Sequence, residues 1–445
     1  MHFTADKQTL ADLNMLGKYK PGSIYHFYNK VHTKGGEKIL ESMFNMPLLD
    51  HEEINKRSSI FQYFQNKQYH FPFNRNQLEI VENYLNVADS GSFLKHFVHF
   101  SRKKLLHLII KDEAYSLMLE GLQSCIEVIH KLNIFIDSIL HTGSDNPYFE
   151  KLKEATTILR DKRLSLIDKN VVLRNQPLTK QARYNYILTH QMQGQLRVVF
   201  EILYELDVYI TISNIAREKN FSYATAVPEK QAIYKATDIK HPLLPNAIGN
   251  SISLTGSSNV LFLTGANMAG KSTLMKTLGI SLYLAHMGFP VAAKEMVCSI
   301  KSSLHSSINI ADDLGAGLSH FYAEVLRVNT VAQEVSGVGN LLVIFDELFK
   351  GTNVKDAYDA TLAVTAAFSK YRNCFFIIST HIVEVGEALR EKCENVQFEY
   401  LPTIMEGDEP KYTYTLREGI SDDRHGMMII EREGVLKMIS NRSPN

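Results

Sequence analysis

The stretch Gly265-Ala266-Asn267-Met268-Ala269-Gly270-Lys271-Ser272-Thr273 fits the pattern G-x-x-x-x-G-K-S/T in full. Glycines at the two ends let backbone N–H groups converge on a phosphate chain, and a helix opening at Lys271 adds its positive end. Lys271 suits the β- and γ-phosphates of a nucleotide, and the Ser272 hydroxyl suits a Mg²⁺ ion. A second element, Leu341 to Phe345 followed by Asp346 and Glu347, is an apolar run ending in two carboxylates. Asp346 reads as a Mg²⁺ ligand acting through water, and Glu347 as the base that takes a proton from an attacking water. His381 follows the run Cys374 to Ser379 and is placed to orient that water or sense the γ-phosphate. These residues together predict hydrolysis of ATP to ADP and phosphate with ATP and Mg²⁺ as cofactors, and Glu347, His381 and Lys271 as the catalytic groups.

Such groups need strands to present them. Val260 to Leu263, Leu341 to Phe345 and Cys374 to Ser379 are short, apolar and rich in Val, Ile and Phe. Segments of helical length separate them, among them Lys271 to about Met287, so a parallel sheet flanked by helices is expected. The first half reads differently. Apolar residues recur at three- and four-residue spacing between about Leu105 and Leu140 and again from Leu188 to Ile210, the pattern of long amphipathic helices. The change falls near residue 225, giving an α/β fold class with a mostly helical domain over 1–225 and a nucleotide-binding domain over 226–445.

Composition narrows the function. Lys plus Arg and Asp plus Glu both number 48, so a uniformly basic nucleic-acid binder is excluded and any DNA contact must be local. One local excess exists: residues 151–183 hold nine basic residues against three acids. Cys125, Cys298, Cys374 and Cys393 are too far apart for a metal or redox pair, which predicts a reducing compartment. The longest apolar run, Leu278 to Ala293, is interrupted by Ser281, His286, Gly288 and Pro290, so no membrane span and a cytoplasmic location are expected.

The motifs resemble the MutS family of DNA mismatch-repair ATPases. Thr264 to Thr273 with its Asn-Met pair, Asp346-Glu347-Leu-Phe-Lys-Gly351-Thr352, and Asp312-Asp313-Leu-Gly-Ala-Gly317-Leu-Ser319-His320-Phe321-Tyr-Ala-Glu324 carry the likeness. Lys240-His241-Pro242-Leu243 resembles the opening of the family's ATPase domain. Leu10-Ala-Asp-Leu-Asn, Lys34 to Leu40, Pro47 to Asp50 and Ile54 to Arg57 resemble the start of its core or lever domain. The resemblance implies an ABC-type P-loop ATPase domain preceded by a helical lever domain. It also implies a homodimer of head-to-tail ATPase domains in which Ser319 reaches in trans to the γ-phosphate bound by the partner.

The departures shape the expected activity. The resemblance aligns the first residues with the core domain, so the wedge domain with which mismatch-reading members stack on a mispaired base, and their C-terminal helix-turn-helix, are expected to be missing. His320 stands where threonine is usual and Ala357 where glycine is usual. The space between the two helical runs is too short for a full DNA clamp, and the basic 151–183 segment occupies that location. It reads either as a contact to DNA phosphates through Lys162, Arg163, Lys169 and Arg174 or as a solvated helix face. Ala247 and Ile248 stand where an aromatic usually meets adenine, which leaves Tyr414 as a stacking partner or as an ordinary alternating residue of a strand. Two functions follow: a nucleotide-controlled DNA clamp in repair or recombination, or an ATP-driven switch for a protein partner without DNA contact.

Overall fold

The computed structural model describes residues 3–17, 20–86, 92–141, 145–168, 171–266, 268–308, 320–337, 339–406, 409–421 and 434–440. The chain divides into two compact units, one of Asn29–Asn45 with Ser59–Arg217 and one of Met1–Tyr28, Met46–Ser58 and Glu218–Asn445. That differs from the two consecutive segments expected from composition. Composition places residues 3–17 in the helical half, yet Thr4–Ala5 pairs in parallel with the strand Ser303–Ser307. Asp12 accepts from Ser306 Oγ at 2.7 Å and from Ile308 N at 2.9 Å. Long-range pairing of this kind leaves no periodic trace in the sequence.

The first unit is helical: α1 (Lys34–Asn45), α2 (Arg75–Leu85), α3 (Phe93–Ile110), α4 (Ala114–Leu140) and most of Gln193–Lys219. The periodic run from Leu105 to Leu140 is two helices, because Lys111 turns left-handed (φ 55°) and ends α3. Leu122, Ile126, Leu132 and Ile136 are buried as their spacing predicts. In the second run Leu188 belongs to a π-turn, Ile187–Gln191, and the regular helix starts at Gln193. A buried carboxylate pins α1. Asp207 accepts from Thr33 N and Thr33 Oγ1, both at 2.8 Å, and so caps a helix start that would otherwise leave free donors in the interior.

The basic 151–183 segment is not one helix face. It breaks into Phe149–Leu159, Lys162–Ser165, Leu173–Asn175 and Leu178–Tyr186. Several of its cations are already paired: Lys151 with Glu205, Arg160 with Asp137 and Arg163 with Asp161. Lys153, Lys162, Arg174 and Arg183 are exposed, and Lys169 lies outside the described residues.

The second unit is built on a sheet of seven strands: β1 (Thr4–Ala5), β2 (Val260–Gly265), β3 (Ser303–Ser307), β4 (Leu341–Phe345), β5 (Phe375–Ser379), β6 (Val396–Leu401) and β7 (Arg417–Glu418). Their order is β1-β3-β4-β5-β2-β6-β7, parallel except for the β6–β7 pair. Strands β4 and β5 are buried at every residue, as apolar runs covered on both faces are, and β3 is equally buried although it reads Ser-Leu-His-Ser-Ser, its polar groups being hydrogen-bonded to Thr9, Asp12 and Glu334. Alternate residues define the faces: Phe262, Val343, Phe345, Phe376 and Ile378 join one core with Val331 of α6 (His320–Gly337), Leu362 of α7 (Val354–Phe368) and Leu389 of α8 (Val383–Lys392). Helix α5 (Lys271–His286) is buried along most of its length and packs against β2, β3 and β4. A smaller sheet of Thr225–Val227, Glu295–Ser299, Ile233–Ile239 and Asn250–Thr255 accompanies it.

No helix among the described residues is long and apolar enough to cross a membrane. The four cysteines are free thiols, three of them buried.

Candidate functional site

The strand order brings the chemistry together. β5 lies between β4 and β2, with Phe345 opposite Ile378 and Ser379 opposite Leu263. The carboxyl ends of three neighbouring parallel strands therefore carry Asp346 and Glu347, Ser379 to His381, and the loop after Gly265. Open parallel sheets place their ligands at this edge.

The loop from Gly265 to Gly270 needs its glycines. Gly265 sits at φ 133° and Gly270 at φ 103°, a region that side chains resist. A Cβ on Gly265 would stand 3.0 Å from the Leu401 carbonyl oxygen, and one on Gly270 would stand 3.1 Å from the Tyr414 ring. Met268, also at positive φ, is exposed, whereas Ala269 is buried and donates its N–H to Ala266 O at 3.3 Å. Asn267 lies outside the described residues.

Lys271 begins α5 and is 5% exposed. Its ammonium donates to Gly265 O at 2.7 Å and Ala266 O at 3.1 Å, which holds a buried cation inside the loop it serves. Burial pushes this ammonium below the ordinary lysine range, and the nearby Asp346 and Glu347 charges oppose that shift. Next to it, Ser272 Oγ donates to Asp346 Oδ2 at 2.5 Å. A hydroxyl and a carboxylate at one point are hard oxygen donors of the kind Mg²⁺ takes. No group of three or more His, Cys, Asp or Glu side chains among the described residues forms a self-sufficient metal cage. A cation here would depend on ligands from the substrate.

Glu347 adopts φ 58°, a left-handed backbone that side chains rarely take. His381 Nε2 stands 2.5 Å from Glu347 Oε1, and Lys350 Nζ lies 3.7 Å from Oε2. The His381 hydrogen bond holds the Glu347 carboxyl below the ordinary glutamate range, against the opposing effect of burial. The carboxylate is therefore ionised at neutral pH and half-buried, the state required to accept a proton from water.

Motif reading did not single out several residues of the site. Ser379 donates to Asp346 Oδ1 and accepts from Glu347 N at 3.1 Å, so it holds the Asp346 carboxylate and the Glu347 backbone. Asn250 donates to Tyr414 O at 3.0 Å and accepts from Leu416 N at 2.7 Å. This clamp shapes a cavity of about 520 Å³ beside the loop, lined by His241, Ile248, Met268, Gly270, Thr273 and Tyr414 among others. Thr273 thus lines the cavity. Tyr414 is not an alternating strand residue: the strand ends at Tyr412, and Tyr414 is left-handed at φ 53°. The whole Asp312 to Ser319 part of the signature lies outside the described residues.

Residues 261–444 match the family model for MutS domain V. The chain is 25% identical over 296 residues to the DNA mismatch repair protein MutS of Petrotoga mobilis, covering 65% of this chain and 34% of that protein. It is 25% identical over 245 residues to the DNA mismatch repair protein MutS of Shouchella clausii, covering 54% of this chain and 28% of that one. The chain spans about a third of the length of these curated relatives.

Proposed function

The chain belongs to the MutS family through the domain V at residues 261–444, and from this we propose that it is a Mg²⁺-dependent, DNA-binding ATPase of ABC type. Members of the family are ATPases, and the observation that supports the activity in this chain is the convergence of Lys271, Ser272, Asp346, Glu347 and His381 on one sheet edge. Mg²⁺, held by Ser272 and, through water, by Asp346, neutralises phosphate charge when bound. Lys271 leaves the Gly265 and Ala266 carbonyls for the β- and γ-phosphates. Glu347 accepts the proton of the attacking water, and His381 keeps that carboxylate ionised and aimed. The cavity beside the loop takes the nucleoside, with Tyr414 against the base.

A Glu347→Gln variant tests the reading. Mg²⁺-dependent ATP hydrolysis by the wild type, a loss of roughly 100-fold or more in the variant and retained ATP binding are expected. Hydrolysis at the wild-type rate in the variant would remove Glu347 from its role.

We infer further that two ATPase domains pair head to tail around ATP, with Ser319 acting in trans, and that the dimer is a nucleotide-controlled DNA clamp. Its test is anisotropy binding to matched, mismatched and four-way-junction DNA, with and without ATP, across a salt series. Binding that changes with ATP and weakens with salt supports the clamp. One observation favours the second reading, an ATP-driven switch for a protein partner: three cations of the basic segment are already neutralised within the chain. No binding to any DNA would make that reading the leading one.

A further inference from the structure

Helix α3 is docked on one side and open on the other. Its inward side is anchored by His96, whose Nε2 meets Asn185 Nδ2 at 2.7 Å, and by Phe100, whose ring lies edge-on to Tyr115 at 5.8 Å. The outward side is apolar. Leu94, Val98, Leu105 and Leu108 are exposed by between 56% and 74%. Surface helices of globular proteins carry polar residues on that side, and a contiguous apolar patch marks a contact site.

The spacing identifies the kind of contact. Leu94, Val98, Ser101, Leu105 and Leu108 follow one another at four, three, four and three residues, the a/d seam of a coiled coil over about two heptads. Ser101 is the one polar seam residue, a device that sets the register of a partner helix. The positions flanking the seam hold Lys95, Arg102 and Lys104 beside the apolar Phe97 and Ile109, and Lys111 follows at the helix end, so every charge on the flanks is positive. From Phe93 to Lys111 there is no Asp or Glu.

Flanking charges choose the partner. A second copy of α3 would set cation against cation on both sides of the seam and is disfavoured. DNA offers phosphates to the cations but nothing to four exposed aliphatic side chains. We propose that the outer seam of α3 docks an amphipathic helix of a partner protein whose own seam is flanked by Asp and Glu. The helix is already folded and held by His96 and Phe100, so only the incoming segment must order on binding.

The test uses the full chain and two labelled three-heptad peptides with Leu and Ile in the seam, one with Glu at every flanking position and one with Lys. Fluorescence anisotropy is expected to show the acidic peptide binding at least about tenfold more tightly than the basic one, and more weakly as salt is raised. L94Q/L105Q should abolish binding while thermal unfolding stays unchanged, since both side chains are solvent-exposed. K95E/R102E/K104E should exchange the preference to the basic peptide, an outcome that general stickiness cannot produce. Equal binding of both peptides, or none, would overturn the proposal. So would sedimentation with phosphatidylserine-containing vesicles in place of peptide binding, which would make the seam a lipid contact. A concentration-dependent dimer in light scattering that L94Q/L105Q dissolves would overturn it as well, making the occupant a second copy.

Discussion

Ser379 donates its hydroxyl to Asp346 Oδ1 and accepts the Glu347 N–H at 3.1 Å, so one side chain on the central strand β5 holds the Asp346 carboxylate and the Glu347 backbone at the end of β4. Removing it leaves an Asp346 oxygen without its donor and Glu347 N–H with a weaker hold. Ser379→Ala should lower the ATP hydrolysis rate about tenfold and raise the Mg²⁺ concentration needed for half-maximal rate. A titration of rate against Mg²⁺ checks this, and an unchanged half-saturation would show that Ser379 only packs.

The acid limb of the pH–rate profile should report Glu347. Its folded carboxyl lies below the ordinary glutamate range because of His381, so the wild-type rate should persist to a pH lower than an isolated glutamate allows. His381→Ala removes the largest cause. The acid limb should then move upward toward the ordinary range, with a lower plateau; a limb that stays in place would assign it to another group.

Asn250 should act through Tyr414. Asn250→Ala frees the carbonyl and N–H at Tyr414 and Leu416 that the amide holds, so the cavity wall loosens without touching the carboxylates. KM for ATP should rise by roughly five- to tenfold with kcat nearly unchanged, the signature of lost uniform binding. Tyr414→Ala should do the same, and Tyr414→Phe should not, because the ring does the stacking.

His286 ties acid stability to burial. Its Nδ1 donates to Leu48 O at 2.8 Å, its Nε2 accepts from Lys301 N at 3.3 Å, and its ring stacks on Phe3 at 4.1 Å. Burial pushes the imidazole down to about 4. A histidine neutral in the folded state and ordinary when unfolded contributes stability that is present above pH about 6.5 and is lost as pH falls to about 4. The loss over that window should be about 3 kcal/mol at most. Chemical denaturation at several pH values measures it, and His286→Gln should flatten the dependence while lowering stability at pH 7.

Asp12 should be structural. It accepts from Ser306 Oγ and Ile308 N inside the fold, and both donors would be left unsatisfied in Asp12→Ala. A loss of about 2 to 3 kcal/mol is expected. Denaturant midpoints test it; a change under 0.5 kcal/mol, roughly the scatter of surface substitutions, would mean that water replaces the carboxylate.

Local chemistry was legible in the order of residues. A phosphate loop must place its glycines, lysine and hydroxyl within one strand-to-helix turn, so Gly265 to Ser272 announce themselves, as does an apolar strand ending in Asp346 and Glu347. Buried parallel strands are mostly apolar, which marked β2, β4 and β5 to within two residues, whereas β3, Ser-Leu-His-Ser-Ser, carries no such mark because its polar groups are satisfied by distant partners. Other features depend on partners far along the chain. Ser379 matters because β5 pairs between β4 and β2, Asn250 because residues 414–416 return to it, and Thr4 to Asp12 because β3 accepts an edge strand from a distant segment. The helical run near Lys111 breaks where a backbone turn overrides periodicity, and the outer seam of α3 became visible once burial showed which of its two apolar faces is used. Spacing records what neighbours in the chain must do together, whereas pairing between distant segments is settled when the whole chain packs.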